Sequence, residues 1–387
     1  MENKVKKNIV MITRPICPPW NEASKNFSWE LANRIKGYIF HLLTYGKFKP
    51  KARNIKSHRI YARPDLRLRF FEKIRLFNFL FRLGNEADLA HFLFTPSKWT
   101  SFLVKQIVLP RFKLRHGRRL KTIQSLATLD FSNTNKKNAV EILFADRIIT
   151  YSCYTKNFLK KLGFKNVSRI YPGVDLCKYK PRPKSKSLLK KLGIEEKDRV
   201  LLYTGEYTRL GSMEIIMESL PLILKREENL KLILACRIKS DQDIERKKQI
   251  KDELLEKGLE SKVIFIETFY PMKRLYNLAD IFIFPLKQMG GKFDIALTVV
   301  EAMASGLPVV ISDIKPLSEV IRLKDSALRL KENNGQELAY NVGEILQNQK
   351  MAARLKNRAR ENAVEFFDIN TSAEQYGKIY AQELKDQ

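Results

Sequence analysis

The stretch Gly291 to Asp313, GKFDIALTVVEAMASGLPVVISD, holds the residues of this chain best spaced for chemistry. Asp294 lies just before an expected helix start, Glu301 falls seven residues later on that helix, and Gly306 with Pro308 ends it ahead of the strand PVVIS. A helix beginning at Ala296, Leu297 and Thr298 offers unsatisfied backbone N–H groups and the positive end of its dipole, which suits a diphosphate. Glu301, two turns along, can accept hydrogen bonds from a ribose diol. The same spacing also describes a capped amphipathic helix with solvated carboxylates, and spacing alone leaves the two readings level.

A second polar cluster, PPWNEASKN from Pro18 to Asn26, joins an expected strand to a helix. Its backbone amides and the side chains of Ser24, Lys25 and Asn26 are able to meet a phosphate or an acceptor; ordinary helix capping is the alternative. His91 follows an apolar strand and reads as a core histidine. His41, His58, His91 and His116 show no H-x-x-H spacing, and Cys17, Cys153, Cys177 and Cys236 form no C-x-x-C pair. No metal cofactor is expected, and a reducing compartment is the simpler setting.

The elements that must position these residues alternate. Val200–Thr204, Leu230–Ala235, Val263–Ile266, Ile281–Phe284 and Val309–Ile311 read as buried strands, separated by helical patterns such as Ser212–Lys225, Asp243–Gly258 and Leu297–Ala304. Continuous apolar strands between helices indicate an α/β fold with a parallel sheet covered on both faces, whose ligands sit at the carboxyl ends of the strands. The first half repeats the theme with strands at Asn8–Thr13, Ala87–Phe94, Lys121–Leu126 and Arg147–Tyr151 and a helix at Phe27–Lys36. Between Leu42 and Glu86 the pattern is poor. KYKPRPKSKS, Lys178 to Ser187, reads as a linker because two prolines and a charge run cannot join a sheet core. The expected organisation is a first domain over 1–177, a linker and entry over 178–198, a second domain over 199–365, and a terminal helix over 366–387 packing back across both.

Composition narrows the partners. With 387 residues and 44% apolar side chains, the chain is neither a small disulfide scaffold nor disordered. Its net charge is +30, and residues 1–175, with 35 basic and 11 acidic side chains, carry +24 of it. Such a field attracts an anionic partner. Leu66–Leu83, LRLRFFEKIRLFNFLFRL, sets Leu66, Phe70, Ile74, Phe77 and Phe81 on one helical stripe among Arg67, Arg69, Lys73, Arg75 and Arg82, the composition of an interfacial helix; a helix buried in the first domain is the plainer reading. KLRHGRR, Lys113–Arg119, is a second basic cluster. An anionic membrane surface is therefore an expected partner, while nucleic acid is not, since no nucleic-acid motif accompanies the charge. Ile9–Ile12 is too short for a signal-peptide core and no apolar run reaches the roughly 18 residues of a membrane span, so a cytoplasmic protein, peripheral at the inner face, is expected.

The run from Pro285 through FDIALTVVEAMASGLPVVISD resembles the donor-site signature of family-4 retaining glycosyltransferases, enzymes of the two-Rossmann-domain GT-B fold. CPPWNEASKNFSWELA (Cys17–Ala32), ADRIITYS (Ala145–Ser152), YPGVDLCKYKP (Tyr171–Pro181) and LLYTGEYTRLGS (Leu201–Ser212) follow in the family's order, over about 300 residues. The resemblance implies two Rossmann-like doubly wound domains facing across a cleft, a nucleotide-diphosphate sugar held mainly by the second, and a saccharide or lipid-linked acceptor held mainly by the first. Glu301 matches the family's ribose-binding glutamate, and Gly205, Lys292 and the Ala296–Thr298 helix start fall in its donor site.

Three departures from the family touch the chemistry. The earlier acid of the E-x7-E pair would stand at Phe293; Asp294, one place on, can substitute for it. The usual Gly-Arg and Lys-Gly pair is replaced by Glu206 and Arg209, which leaves Arg209 as the expected diphosphate cation, assisted by Lys292 or Lys25. Ala127 stands where a donor-sugar histidine is common. The expected activity is retaining transfer of a sugar to a hydroxyl acceptor in surface polysaccharide or glycolipid synthesis, with Arg209, Asp294 and Glu301 as catalytic residues. A GT-B-like binding subunit that has lost catalysis is the competing reading.

Overall fold

The computed structural model describes all residues except 1–5, 19, 21, 47, 51, 63–69, 84–85, 94–96, 111–112, 114–116, 118, 132–133, 268–270, 290–292 and 386–387, together with the side chains of Phe70 and Lys73. It divides into two compact units, Met1–Gly173 with Ile369–Gln387, and Val174–Asp368.

In the first unit β1 (Lys7–Ile12), α1 (Ala23–Arg34), β2 (Tyr38–Tyr45), β3 (Ile55–Tyr61), α2 (Phe70–Arg82), β4 (Ala87–Phe92), α3 (Lys98–Leu103), β5 (Lys121–Leu126), α4 (Lys136–Ile142), β6 (Arg147–Thr150), α5 (Cys153–Lys161) and β7 (Val167–Arg169) follow in turn. The strands form one parallel sheet in the order β3-β2-β1-β4-β5-β6-β7. Every residue of β4 is buried, as a central strand covered on both faces requires.

The second unit runs α6 (Lys186–Lys191), β8 (Arg199–Gly205), α7 (Ser212–Leu224), β9 (Leu230–Cys236), α8 (Asp241–Glu256), β10 (Val263–Ile266), α9 (Lys273–Tyr276), β11 (Ile281–Phe284), α10 (Leu297–Ala304), β12 (Val309–Ser312), β13 (Leu328–Leu330), α11 (Gly335–Gln347) and α12 (Gln349–Phe366). Its sheet is also parallel, in the order β10-β9-β8-β11-β12-β13. The strand order reverses between β8 and β11. Their carboxyl ends therefore form the crevice where doubly wound sheets bind ligands.

The last helix, α13 (Ile369–Lys385), belongs to the first unit. Its Tyr376 and Tyr380 enter that core: Tyr380 and Ser125 each lie 2.7 Å from a ring nitrogen of His91, and the Tyr376 hydroxyl lies 2.9 Å from Ser125 Oγ. Glu383 adds an ion pair to Arg147 at 2.8 Å. His91 is thus the core histidine its apolar setting indicates. Where the sequence pattern ends the first domain at 177, the units divide between Gly173 and Val174. The expected linker is docked on the second unit, with the Arg182 backbone N–H donating to Asn277 Oδ1 at 2.7 Å and Lys184 paired to Asp280 at 2.6 Å.

The unreadable stretch from Leu42 to Glu86 holds half of β2 and all of β3 and α2. Polar residues interrupt the pattern there because two histidines pair across the strands: His41 Nδ1 and His58 Nε2 are 2.9 Å apart. On α2 Leu80 is buried, as is Leu83 just after it, and Leu76 and Phe79 pack on the cluster that includes Val10, Leu43, Ile60 and Phe92. Phe71, 75% exposed, and Ile74 face outward. The helix thus has a core face made by Leu76, Phe79 and Leu80, and the described part of the expected stripe lies off it, with Ile74 exposed and Phe77 and Phe81 half-buried, their rings 5.2 Å apart. Leu66, Arg67 and Arg69 lie outside the described residues. Among the described residues no helix is long and apolar enough to cross a membrane.

Candidate functional site

The crevice of the second unit is built from three loops. The first leaves β8 at Gly205 and reaches α7 at Gly211. A Cβ on Gly205 would lie 2.2 Å from the hydroxyl oxygen of Tyr203, which is fully buried, so only glycine lets that ring fold back on the strand end. Gly211, at φ +69°, turns the chain into α7 in the left-handed region, and the Lys287 side chain lies over it. The second loop, after β11, is tied to the first: the Lys287 backbone N–H donates to Leu210 O at 2.9 Å, and Gln288 Nε2 donates to Arg209 O at 3.0 Å. The third follows β9. Asp243, buried in the first turn of α8, accepts from Thr208 Oγ1 of the first loop at 3.0 Å and from the Lys239 backbone N–H of the third at 3.0 Å.

These ties fix a charge cluster. Glu206, only 5% exposed, accepts from Arg209 Nη2 at 3.0 Å and from Lys239 Nζ at 2.5 Å. Lys239 is not legible as a site residue in the sequence, where Arg209 reads as the sole nearby cation; among the described residues the structure adds Lys239 on Glu206 and Arg237 close enough to act on Lys239. Burial pulls the Lys239 ammonium below the usual lysine range, the Glu206 carboxylate opposes this, and Arg237 and Arg209 add to it. The signal that could have found Lys239 is its position three residues beyond β9, at the same sheet edge as Arg209.

The other predicted residues fall around the same edge. Asp294 is buried two residues before Ala296, the N-cap of α10, which offers no side-chain cap to the first turn containing Leu297 and Thr298. Glu301, half-buried on α10, accepts from the Tyr276 hydroxyl at 2.8 Å and also from Tyr179. Burial raises the Glu301 carboxyl above the usual carboxylate range, against the pull of the two hydroxyls and of Lys178. Neither tyrosine was singled out in the sequence, and Tyr179 comes from the segment expected to be a linker. Lys292 lies outside the described residues.

Lys25 belongs to the other unit. It is buried in the first turn of α1, whose N-cap residue, Glu22, pairs with Arg14. Asn26 donates from Nδ2 to Trp20 O at 3.2 Å, while its buried Oδ1 finds no partner among the described residues. Among the described residues no three His, Cys, Asp or Glu side chains gather as a metal-ligand set.

Residues 184–362 match the family described as Glycosyl transferases group 1. Among curated proteins, the chain is 24% identical over 191 residues to an uncharacterized glycosyltransferase of Methanocaldococcus jannaschii, covering 49% of this chain and 46% of that protein. It is 23% identical over 219 residues to a D-inositol 3-phosphate glycosyltransferase of Corynebacterium urealyticum, covering 55% and 50%. The chain thus spans about half the length of these two relatives. With N-acetyl-alpha-D-glucosaminyl L-malate synthase of Bacillus anthracis it shares 21% identity over 309 residues, 77% of this chain and 76% of the relative. Two solved structures share the GT-B fold along nearly the whole chain. Sucrose-phosphate synthase from Thermosynechococcus elongatus superposes with a TM-score of 0.76 at 16% identity, over 98% of this chain and 100% of that one. Anabaena HepE in complex with UDP and glucose gives 0.74 at 16%, over 96% and 99%.

Proposed function

From the match of residues 184–362 to the glycosyl transferases group 1 family, we propose that the protein is a member of that family and a family-4-like retaining glycosyltransferase. It moves a sugar from a nucleotide-diphosphate sugar to a hydroxyl acceptor, saccharide or lipid-linked, in surface polysaccharide or glycolipid synthesis. The observation that carries the reading is the tether between the loops after β8 and β11. It holds the loop of Arg209 against the loop that leads to α10 at the strand-order reversal of one parallel sheet, which supports a site where an anionic ligand meets a cation and a helix N-terminus.

In the reaction, the bond between the anomeric carbon and the diphosphate oxygen breaks, and the diphosphate keeps the electron pair. The acceptor oxygen bonds to the same face of that carbon, and its proton leaves with the diphosphate. What the protein must supply is orientation and stabilisation of charge growing on the leaving group. Arg209 and the first-turn amides of α10 do this, with no metal cofactor called on. Glu301, held by Tyr276 and Tyr179, takes the ribose hydroxyls, and Asp294 faces the sugar. UDP in complexes of the structural neighbour HepE supports a nucleoside-diphosphate donor. The basic first unit, with the outer edge of α2, sets the enzyme at the inner face of an anionic membrane in the cytoplasm.

The test is a panel of UDP-, GDP- and ADP-sugars, assayed for nucleotide release and for protection of the protein against thermal unfolding. An active transferase gives both signals with one donor. Protection without release marks a catalytically silent binding subunit, and absence of both overturns the reading.

A further inference from the structure

The Glu206–Arg209–Lys239 cluster holds more information than a diphosphate site needs. Two cations would bind a diphosphate without a carboxylate between them, and a carboxylate beside such a ligand repels it. Yet Glu206 is the buried member, while the Arg209 and Lys239 side chains remain 44% and 32% exposed. The cations are thus anchored from beneath and open above. Asp243 locks the geometry by bonding the loops of both, through Thr208 and the Lys239 backbone. Tyr207, between Glu206 and Arg209 in the sequence, is buried with a hydroxyl that finds no partner among the described residues.

We propose that Lys239 is a second donor-phosphate residue and that Glu206 is a built-in counter-charge, which holds Arg209 and Lys239 in register and limits their hold on the diphosphate. The proposal rests on the nucleotide-sugar reading above. Glu206 cancels one of the positive charges gathered at this edge, which keeps the phosphates favoured without trapping the product nucleoside diphosphate. Glu206 does not touch the reacting atoms. It is a positioning and tuning residue, and its removal changes the binding of charge rather than of the base.

The experiment measures affinities of the full chain for UDP, GDP and ADP by calorimetry, and for uridine, guanosine and adenosine as controls without phosphate, in wild type and in Glu206→Gln, Lys239→Met, Arg209→Met and Lys356→Ala. Lys239→Met should weaken the favoured nucleoside diphosphate about tenfold or more, as loss of a charge-assisted bond does, and leave its nucleoside unchanged. Glu206→Gln should tighten the same diphosphate by about threefold or more, with a steeper salt dependence, because the net charge of the cluster rises by one. Lys356→Ala, on the exposed face of α12, should bind as wild type. If wild type binds a nucleoside diphosphate but Lys239→Met binds it equally well, the role of Lys239 is overturned. If Glu206→Gln binds it more weakly, Glu206 is a ligand-contacting or purely ordering group, and the counter-charge is overturned. Should Glu206→Gln fail to fold, the Lys239 and Arg209 variants still decide the cradle. If no nucleoside diphosphate binds wild type, the nucleotide-sugar reading itself fails.

Discussion

Replacing Tyr276 by phenylalanine removes one oxygen from the second unit and exposes how Glu301 is held. The hydroxyl donates to Glu301 Oε2 at 2.8 Å from a fully buried ring, and burial has already pushed the carboxyl above its ordinary value. Losing a donor to an ionised carboxylate costs about 1.5–3 kcal/mol, whereas losing one to a protonated carboxyl costs about 0.5–1.5 kcal/mol. The gap, about 1–1.5 kcal/mol, raises the Glu301 carboxyl further in the variant. A carboxyl raised in the folded state contributes stability that is full below its unfolded value and is lost as pH rises through the folded one. The variant loses more of it over the same window. Urea unfolding of wild type and Tyr276→Phe at matched pH values should therefore give a stability difference that grows from acid to about pH 8, the titrations common to both proteins cancelling. A difference that is constant with pH, or that shrinks toward pH 8, would mean that the hydroxyl does not support the charged carboxylate.

Glu301→Ala should weaken nucleoside-diphosphate binding by about 0.5–1.5 kcal/mol, or more for a charge-assisted bond, while calorimetric unfolding stays cooperative; unchanged affinity would remove Glu301 from the ribose. Gly205→Ala should cost about 1–3 kcal/mol or more in denaturant unfolding, because the added methyl overlaps the buried Tyr203 ring; a neutral effect would contradict the packing at that strand end. Burial holds His91 down to about 3, and burial with His58 and Lys56 holds His41 down to about 4. Their stability contribution is present above the unfolded value near 6.5 and is lost as pH falls toward these folded values, about 1.4 kcal/mol per unit for each group, so His91→Gln should flatten the acid slope of first-unit unfolding. Binding to acidic vesicles should fade as salt shortens the Debye length from about 30 Å to about 10 Å, and Phe71→Ser with Trp99→Ser should remove the salt-resistant remainder; indifference to acidic vesicles at all salt concentrations would confine the basic field to the acceptor.

What the sequence reveals and what it hides separate along physical lines. Val263–Ile266 and Ile281–Phe284 stand at their expected limits because a strand buried on both faces writes an unbroken apolar run between turn residues. β7 and β13, three residues each at sheet edges, are too short to leave a pattern. β2 and β3 hide behind the His41–His58 pair, since a satisfied polar contact between buried strands breaks the apolar run that marks them. Glu301 is legible because its helix, its end signals and the family signature agree, but its tyrosine partners come from α9 and from the proline-rich segment before α6.

The charge cluster is the sharper case. Along the chain, Glu206 at a position where the family carries arginine reads as a lost cation and weighs toward an inactive subunit. Across the sheet the balance differs, because β9 lies beside β8 and delivers Lys239 to the carboxylate 33 residues earlier. A parallel sheet gathers the ends of strands that are distant in sequence at one edge, so the charge of a site there is summed over strand order rather than over a motif. Read that way, the departure at Glu206 does not strip the edge of cations, because among the described residues Arg209 and Lys239 both bond its carboxylate and Arg237 lies close enough to act on Lys239.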